Sequence, residues 1–243
     1  MRRAIVLGIL LLTFCVGSAA YSAEVWSISA QHPCIGLTAG FARPLADLSD
    51  MVGPHWQPAA GPVQGQGLVL LFITSCPDST YGGKSTGAFS GAFVLVPVMQ
   101  LEPAGKQTHA IAVLRAAGLS GTAVMNLFHN HDIHIMNAQV LLAVHDAGNT
   151  KHAEAVIRAA HGTLTLDADL QPVTQPYKST NTVAVRVTPA GALFNGPESS
   201  VRYAKGKAEA HAIGNTWLQR YQLEKPLFVT LDSDFIWKFN FTQ

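Results

Sequence analysis

Three histidines lie within six residues, at His129, His131 and His134. Imidazole nitrogens bind zinc and copper, so three of them could nearly complete a tetrahedral metal shell. In a strand, however, His129 and His131 would lie on one face and His134 on the other. In a helix only His131 and His134 would be neighbours. The spacing therefore predicts no metal site, but a polar loop beside a pocket or a solvated turn, and we expect no cofactor.

Two other short motifs could carry chemistry. Gly82-Gly83-Lys84-Ser85 resembles the end of a phosphate-binding loop, but Asp78 stands where that loop needs its first glycine, so we expect a glycine-rich hairpin. Asp232 and Asp234 are two apart, and in a strand both carboxylates would lie on one face, where they could exchange protons or bind calcium. Six residues are thus candidates for a pocket or its mouth: Lys84, His129, His131, His134, Asp232 and Asp234.

The first 20 residues have the pattern of a secretory signal peptide. Arg2 and Arg3 form a basic start, an apolar stretch follows from Ile5 to Val16, and Ser18-Ala19-Ala20 offers a cleavage site. We expect the mature chain, 21–243, to be periplasmic or secreted. That compartment disfavours kinases, dehydrogenases and intracellular nucleic-acid binders.

The charge of the chain supports the same exclusions. The 16 Lys and Arg residues lose two with the signal peptide, which leaves 14 against 15 Asp and Glu residues. A balanced charge predicts no nucleic-acid partner. No later segment approaches eighteen uninterrupted apolar residues, so we expect no membrane partner after signal cleavage.

The mature chain keeps two of its three cysteines, Cys34 and Cys76, because Cys15 leaves with the signal peptide. An even pair in an oxidising compartment predicts a disulfide. Its loop of roughly 43 residues would be worth about 4 kcal/mol. A catalytic Cys/His pair that uses Cys76 is the alternative.

These residues must be positioned by a mostly-β chain. Leu45, Leu48, Met51 and Val52 mark a short amphipathic helix within Arg43 to Gln57, which Gly53 and Pro54 end. Further helical stretches are expected around Leu119 to Phe128 and Thr216 to Tyr221. Apolar or alternating runs predict strands at Gly67 to Cys76, Ala88 to Val98, Ala138 to His145, Ala153 to Ala160, Thr163 to Leu170, Thr182 to Thr188, Val201 to His211, and Pro226 to Phe241.

Many short strands with few helices predict an α+β, mostly-β fold, a single antiparallel β-barrel or sandwich with a few short helices. No repeat or linker interrupts residues 21–243, which we expect to form one domain.

The order of elements from residue 43 onward resembles the acetoacetate decarboxylase-like superfamily. A short helix (Pro44 to Val52) ends in Gly-Pro, an apolar strand follows (Leu68 to Cys76), and a second strand finishes Val94-Leu95-Val96-Pro97-Val98. The resemblance implies a cone-shaped β-barrel around an apolar pocket. The decarboxylases use a buried lysine as Schiff-base nucleophile beside a second lysine, but their Glu-x-x-Gly-x-Pro-Lys-like signature is absent. Lys205 and Lys207 are a close pair that could be catalytic or exposed.

Three functions follow from these observations. The leading hypothesis is an exported binding domain whose apolar pocket holds a small apolar or weakly acidic molecule. The second is a lyase, decarboxylase-like or hydrolase enzyme acting on a small organic acid or carbonyl compound. The third is a periplasmic metal-binding protein that uses His129, His131 and His134.

Overall fold

The computed structural model describes residues 25–54, 56–100, 110–121, 123–126, 135–184, 193–204, 208–214, 220–235 and 238–242. The predicted signal peptide lies outside them. Within these ranges lie sixteen strands, one α-helix and a helical turn over 123–126. The elements are β1 (Val25–Ser29), β2 (Cys34–Pro44), α1 (Leu45–Val52), β3 (Trp56–Pro58), β4 (Gln66–Cys76), β5 (Thr80–Tyr81), β6 (Lys84–Ser85), β7 (Phe89–Gln100), β8 (Ala110–Ser120), β9 (Met136–Asn137), β10 (Gln139–Ala147), β11 (Thr150–Ala159), β12 (Gly162–Ala184), β13 (Leu193–Ala204), β14 (Ala208–Gly214), β15 (Phe228–Phe235) and β16 (Lys238–Thr242).

The strands form a large sheet of twelve strands and a small sheet of four. The large sheet has the order β10-β11-β12-β13-β15-β2-β4-β7-β8-β9, with β14 also paired to β12 and β3 to β7. The small sheet has the order β16-β1-β5-β6. β8 also pairs in parallel with the end of β12 at Thr182 to Ala184, so the run from β12 to β8 returns to its first strand. The predicted mostly-β fold is confirmed, and this connectivity is compatible with a barrel or a sandwich.

The strand β12 belongs to two groups of strands because it is 23 residues long. Its first part, Gly162 to Leu170, pairs with β11 and β14, whereas its second part pairs with β13. The hairpins β10-β11 and β11-β12 are tight, and they turn at 148–149 and 160–161.

The apolar core lies between the hairpin strands and the centre of the large sheet. Alternate residues of β10, β11, β12 and β14 point into it, as do the odd-numbered residues of β2 and β4 and the even-numbered residues of β7 from Ala92 to Val98. Leu48 and Val52 of α1 add to the same cluster, as the amphipathic pattern predicts. We call this side of β2, β4, β7 and β15 the core face. No helix in the described ranges is long and apolar enough to cross a membrane.

Several predicted elements differ from the structure. Helix α1 begins at Leu45, with Pro44 before its first turn, and Gly53 ends it at φ 80°. The predicted helix from Leu119 is wrong at its start, because β8 continues to Ser120 and pairs with β7. The strand predicted over Val201 to His211 is two strands, and each pairs with a different part of β12.

The strand predicted over Pro226 to Phe241 is also two strands. β15 joins the large sheet beside β2, whereas β16 joins the small sheet beside β1. β2 itself is not among the predicted strands, because its glycines and alanines obscure the apolar pattern. The predicted helix at Thr216 to Tyr221, most of which is not described, remains untested.

The predicted disulfide between Cys34 and Cys76 is present. It joins the first residue of β2 to the last residue of β4, with the two Cα atoms 4.4 Å apart. Because these neighbouring strands also share a continuous ladder, the bond fixes one end of that ladder. A catalytic thiol at Cys76 is therefore excluded while the bond is intact.

Replacing Cys34 and Cys76 together with Ala should lower the free energy of unfolding by about 4 kcal/mol, because the unfolded chain regains the entropy of a long loop. Denaturant titration of both proteins, with and without reductant, measures the difference. Reductant should destabilise the wild-type chain and leave the double variant unchanged. A wild-type chain that is insensitive to reductant would contradict the bond.

A carboxylate fastens the segment that leads into β2. Asp78, just after β4, accepts hydrogen bonds from the backbone N–H groups of Gln31 at 2.8 Å and His32 at 3.3 Å, and it contacts Nδ1 of His32. The His32 imidazole and then the Gln31 N–H lower the pKa of Asp78 below its usual 3.8. These bonds stabilise the segment only while Asp78 is ionised.

The stabilisation from Asp78 should be present above pH 3.8 and lost as the pH falls through the lowered pKa of the folded state. Asp78→Asn should therefore unfold at a lower temperature than wild type at neutral pH. At about pH 2 the two melting temperatures should converge. An equal gap at both pH values would mean that the charge of Asp78 does not contribute.

Candidate ligand-binding site

The central strands of the large sheet present a second face that the core does not use. Adjacent strands β15, β2, β4 and β7 carry on it aromatic, hydroxyl and carboxyl side chains, alternating with the core residues. Most of these side chains are half-buried rather than buried. We call this side the mixed face and define it by Thr38, Phe72, Phe93, Thr230 and Asp232.

The strand register places these residues in two neighbouring rows. In one row Thr230 lies opposite Thr38, Thr38 opposite Phe72, and Phe72 opposite Phe93. The rings of Phe72 and Phe93 stack with centroids 6.1 Å apart. The row thus has two threonine hydroxyls at one end and two phenylalanine rings at the other.

The next row begins with Asp232. It lies opposite Gly36, which lies opposite Thr74, which lies opposite Gly91. Asp232 is half-buried and its Oδ1 is buried. Thr74 is buried and donates its hydroxyl to the carbonyl of Ile35 at 3.2 Å, so that hydroxyl is committed to the fold. Gly36 adds no side chain between Asp232 and Thr74.

Two glycines of the mixed face lie under aromatic rings. A Cβ on Gly40 would lie 2.2 Å from Cε1 of Phe228, and a Cβ on Gly91 would lie 2.6 Å from Cε2 of Phe93. Both distances are far shorter than a contact between carbon atoms allows, so the rings rest on bare backbone. Glycine at these positions lets Phe228 and Phe93 lie close to the sheet.

The mixed face combines the features of a small-molecule site. Apolar rings can shield a ligand from water, while the hydroxyls of Thr38 and Thr230 can donate hydrogen bonds to a carbonyl or carboxyl oxygen. The half-buried carboxylate of Asp232 can accept or return a proton. The face can therefore hold and polarise a small oxygen-containing molecule.

The predicted candidate residues are not all together. Asp232 lies on the mixed face, and Asp234 is also in β15, but the pairing of β15 with β2 shifts between Asp232 and Phe235, so a shared face is not established. Lys84 is exposed in β6 of the small sheet, beside a turn in which Gly82 and Gly83 have φ of 55° and 76°. The predicted hairpin is confirmed there, and it lies in a different sheet from Asp232. His129, His131 and His134 lie outside the described residues.

The lysines with described side chains do not lie on the mixed face. Lys84 and Lys225 are exposed, and Nζ of Lys151 donates to Asp146 at 2.5 Å. Lys205 and Lys207 lie outside the described residues, but Lys205 follows Ala204, whose Cα pairs with Thr230.

The other residues of the face were not among the sequence candidates. Thr38, Phe72, Phe93 and Thr230 come from four strands that are distant in the sequence, and single threonines and phenylalanines in strands are common. The signal that could have found the face is Gly40, a glycine inside a strand, which the close approach of Phe228 explains.

No protein-family model matches the sequence, and no curated protein matches it either. Solved structures do match the fold. They include the enduracididine biosynthesis enzyme MppR complexed with pyruvate (11% identity, 93% of this chain and 91% of that chain, TM-score 0.56). They also include an acetoacetate decarboxylase-like enzyme from Sphingomonas wittichii RW1 (9%, 90% and 91%, TM-score 0.58) and an acetoacetate decarboxylase (11%, 95% and 92%, TM-score 0.53). The chain has the acetoacetate decarboxylase-like fold, as the order of its elements predicts.

The contact between Gly40 and Phe228 provides a test of the mixed face. Gly40→Ala should lower the free energy of unfolding by about 1 to 3 kcal/mol, because the new methyl group overlaps the ring. In a Phe228→Ala background the same change should cost much less, with a coupling of about 1 kcal/mol or more. Chemical denaturation of the four proteins measures the cycle, and strictly additive effects would place the ring elsewhere.

Proposed function

We propose that the chain is an exported enzyme that acts on a small 2-oxo acid or related carbonyl compound at the mixed face. The observation that carries this proposal is the fold, which matches acetoacetate decarboxylase-like enzymes over at least 90% of the chain. One of the matching structures holds pyruvate. The predicted signal peptide and the disulfide support export.

The residues of the mixed face have distinct roles in this proposal. Thr38 and Thr230 donate hydrogen bonds to the carbonyl or carboxyl oxygens, and Phe72 and Phe93 pack against the carbon skeleton. Asp232 exchanges a proton with the substrate. Exclusion of water by the aromatic rings strengthens each of these polar contacts.

A covalent step would need an amine. In a Schiff-base mechanism a lysine amine attacks the carbonyl carbon, the carbonyl oxygen leaves as water, and the resulting imine withdraws electrons from the neighbouring carbon. Lys205 is the lysine to test first, because Lys207 lies two residues away in the sequence and could act as the second lysine of a catalytic pair. The second lysine of the pair, Lys207, would lower the pKa of the first by charge repulsion.

A binding protein without catalysis is the second candidate function. It is favoured by the absence of the lysine signature and by the lysines Lys84, Lys151 and Lys225, none of which lies on the mixed face. Such a protein would hold the same class of ligand through the hydroxyls and rings alone. The two candidates differ in one observable, which is covalent capture of the ligand.

Incubation of the chain with pyruvate and cyanoborohydride should leave one reduced adduct per chain, because hydride converts the imine into a stable secondary amine. Intact-mass spectrometry and peptide mapping should place the adduct on Lys205 or Lys207. Lys205→Ala should reduce trapping at least tenfold if Lys205 is the nucleophile. Lys225→Ala, an exposed control, should leave trapping unchanged.

Other outcomes separate the remaining candidates. Calorimetric binding of pyruvate without any adduct would support the binding protein and reject the enzyme. If neither pyruvate nor acetoacetate binds or is trapped, both candidate functions are wrong for this class of ligand. Circular dichroism of each variant checks that the fold is retained.

A further inference from the structure

A second group of polar side chains lies on the solvent side of the hairpin strands β11 and β12, on the surface opposite the core. It consists of His152, Glu154, Asp167 and Asp169, which we call the histidine-carboxylate cluster. The register places His152 opposite Asp169 and Glu154 opposite Asp167. All four side chains are partly or largely open to solvent, so a small ion can reach them.

The cluster concentrates negative charge in one row of the sheet. Glu154 lies opposite Asp167, and Asp167 lies opposite Glu209 of β14, so three carboxylates occupy neighbouring strand positions. Like charges directly opposite each other destabilise a sheet. A bound cation would remove that repulsion.

The imidazole of His152 is held in the orientation that a metal ligand requires. Its Nδ1 lies 2.9 Å from Oδ1 of Asp169, and its Nε2 lies 3.2 Å from Glu154 and 3.5 Å from Asp167. In metal sites the ligating histidine donates its second ring N–H to a carboxylate, which fixes the tautomer and turns the other nitrogen to the metal. Asp169 occupies that orienting position.

The spacing of the other atoms also fits a cation. Ligands about 2.1 Å from a tetrahedral zinc ion lie about 3.4 Å from one another. The distances from Nε2 to the two carboxylates are 3.2 and 3.5 Å, and the ligand atoms of all three residues lie within 4.8 Å of one another. A cation could therefore bind with small side-chain movements.

We propose that His152, Glu154 and Asp167 form a binding site for a divalent transition-metal cation, with Asp169 as the residue that positions the imidazole. One nitrogen and two carboxylate oxygens suit a borderline ion such as Zn²⁺, and water completes the shell from the open side. The site shares no residue with the mixed face.

Protons compete with the metal for His152. Hydrogen bonds that the imidazole donates to the carboxylates of Asp169 and then Glu154 raise the pKa of His152 above its usual 6.5. Metal binding must displace that proton, so affinity should rise with pH. Binding is therefore best measured at about pH 8.

The test is Zn²⁺ titration of the chain, made without a histidine tag, against a chromophoric chelator. The wild-type chain should bind Zn²⁺, and His152→Ala should weaken the affinity at least tenfold. Asp169→Asn should weaken it by about tenfold to a hundredfold, because the imidazole loses its orienting carboxylate. The matched control is His211→Ala in β14, the strand beside β12. It removes an exposed histidine that lies 3.7 Å from Glu209 of the same strand, and it should leave the affinity unchanged.

Melting curves provide a readout that does not depend on the chelator. Zn²⁺ should raise the melting temperature of wild type and of His211→Ala, but not of His152→Ala. Absence of Zn²⁺ binding by wild type would overturn the proposal. So would equal binding by His152→Ala, or loss of binding only in the double variant His129→Ala and His131→Ala, which would place the metal at the other histidine cluster.

Discussion

The ladder between β2 and β4 is the contact on which the rest of the structure depends. Ten consecutive residues of β2, from Ile35 to Pro44, pair with ten of β4, and the disulfide closes the end of the ladder at Cys34 and Cys76. Because side chains alternate along paired strands, this register assigns every residue of both strands to one of two faces. A slip by one residue would exchange the apolar core with the mixed face.

The core face of this ladder stabilises the fold, whereas the mixed face carries the candidate site. Leu37, Ala39 and Phe41 point to the core face and pack with the hairpin strands, which supplies the apolar burial that stabilises the domain. Thr38 points the other way, between Thr230 and Phe72. The same strand therefore builds the core and the candidate site. A substitution at Thr38 should therefore leave the core closed.

Much of the fold could be predicted from local patterns, but the position of β2 could not. The run from Leu68 to Ile73 is apolar and continuous, and a strand there follows from hydrophobicity alone. β2 contains Gly36 and Gly40, which disfavour a strand unless a neighbour needs the space. Phe228, 188 residues further along the chain, is the neighbour that explains Gly40.

The candidate sites, like the fold, are only partly predictable from local sequence patterns. Asp232 stands out because a second aspartate follows two residues later, but its neighbours come from strands that no local pattern connects to it. The register that forms the histidine-carboxylate cluster depends on one residue of turn position. A two-residue turn at His161 and Gly162 would pair His152 with Gln171, whereas the turn in the structure lies at 160–161 and pairs His152 with Asp169. The cluster was missed because the histidines near residue 130 are closer together in the sequence.

The most direct measurement for the proposed site is a crystal structure of the chain with pyruvate bound. The proposal predicts that the ligand lies on the mixed face, with its oxygens near Thr38 and Thr230 and its methyl group against Phe72. The carboxyl of Asp232 should lie within hydrogen-bonding distance of the ligand. Pyruvate bound away from these residues, or a mixed face covered by other side chains of the chain, would contradict the proposal.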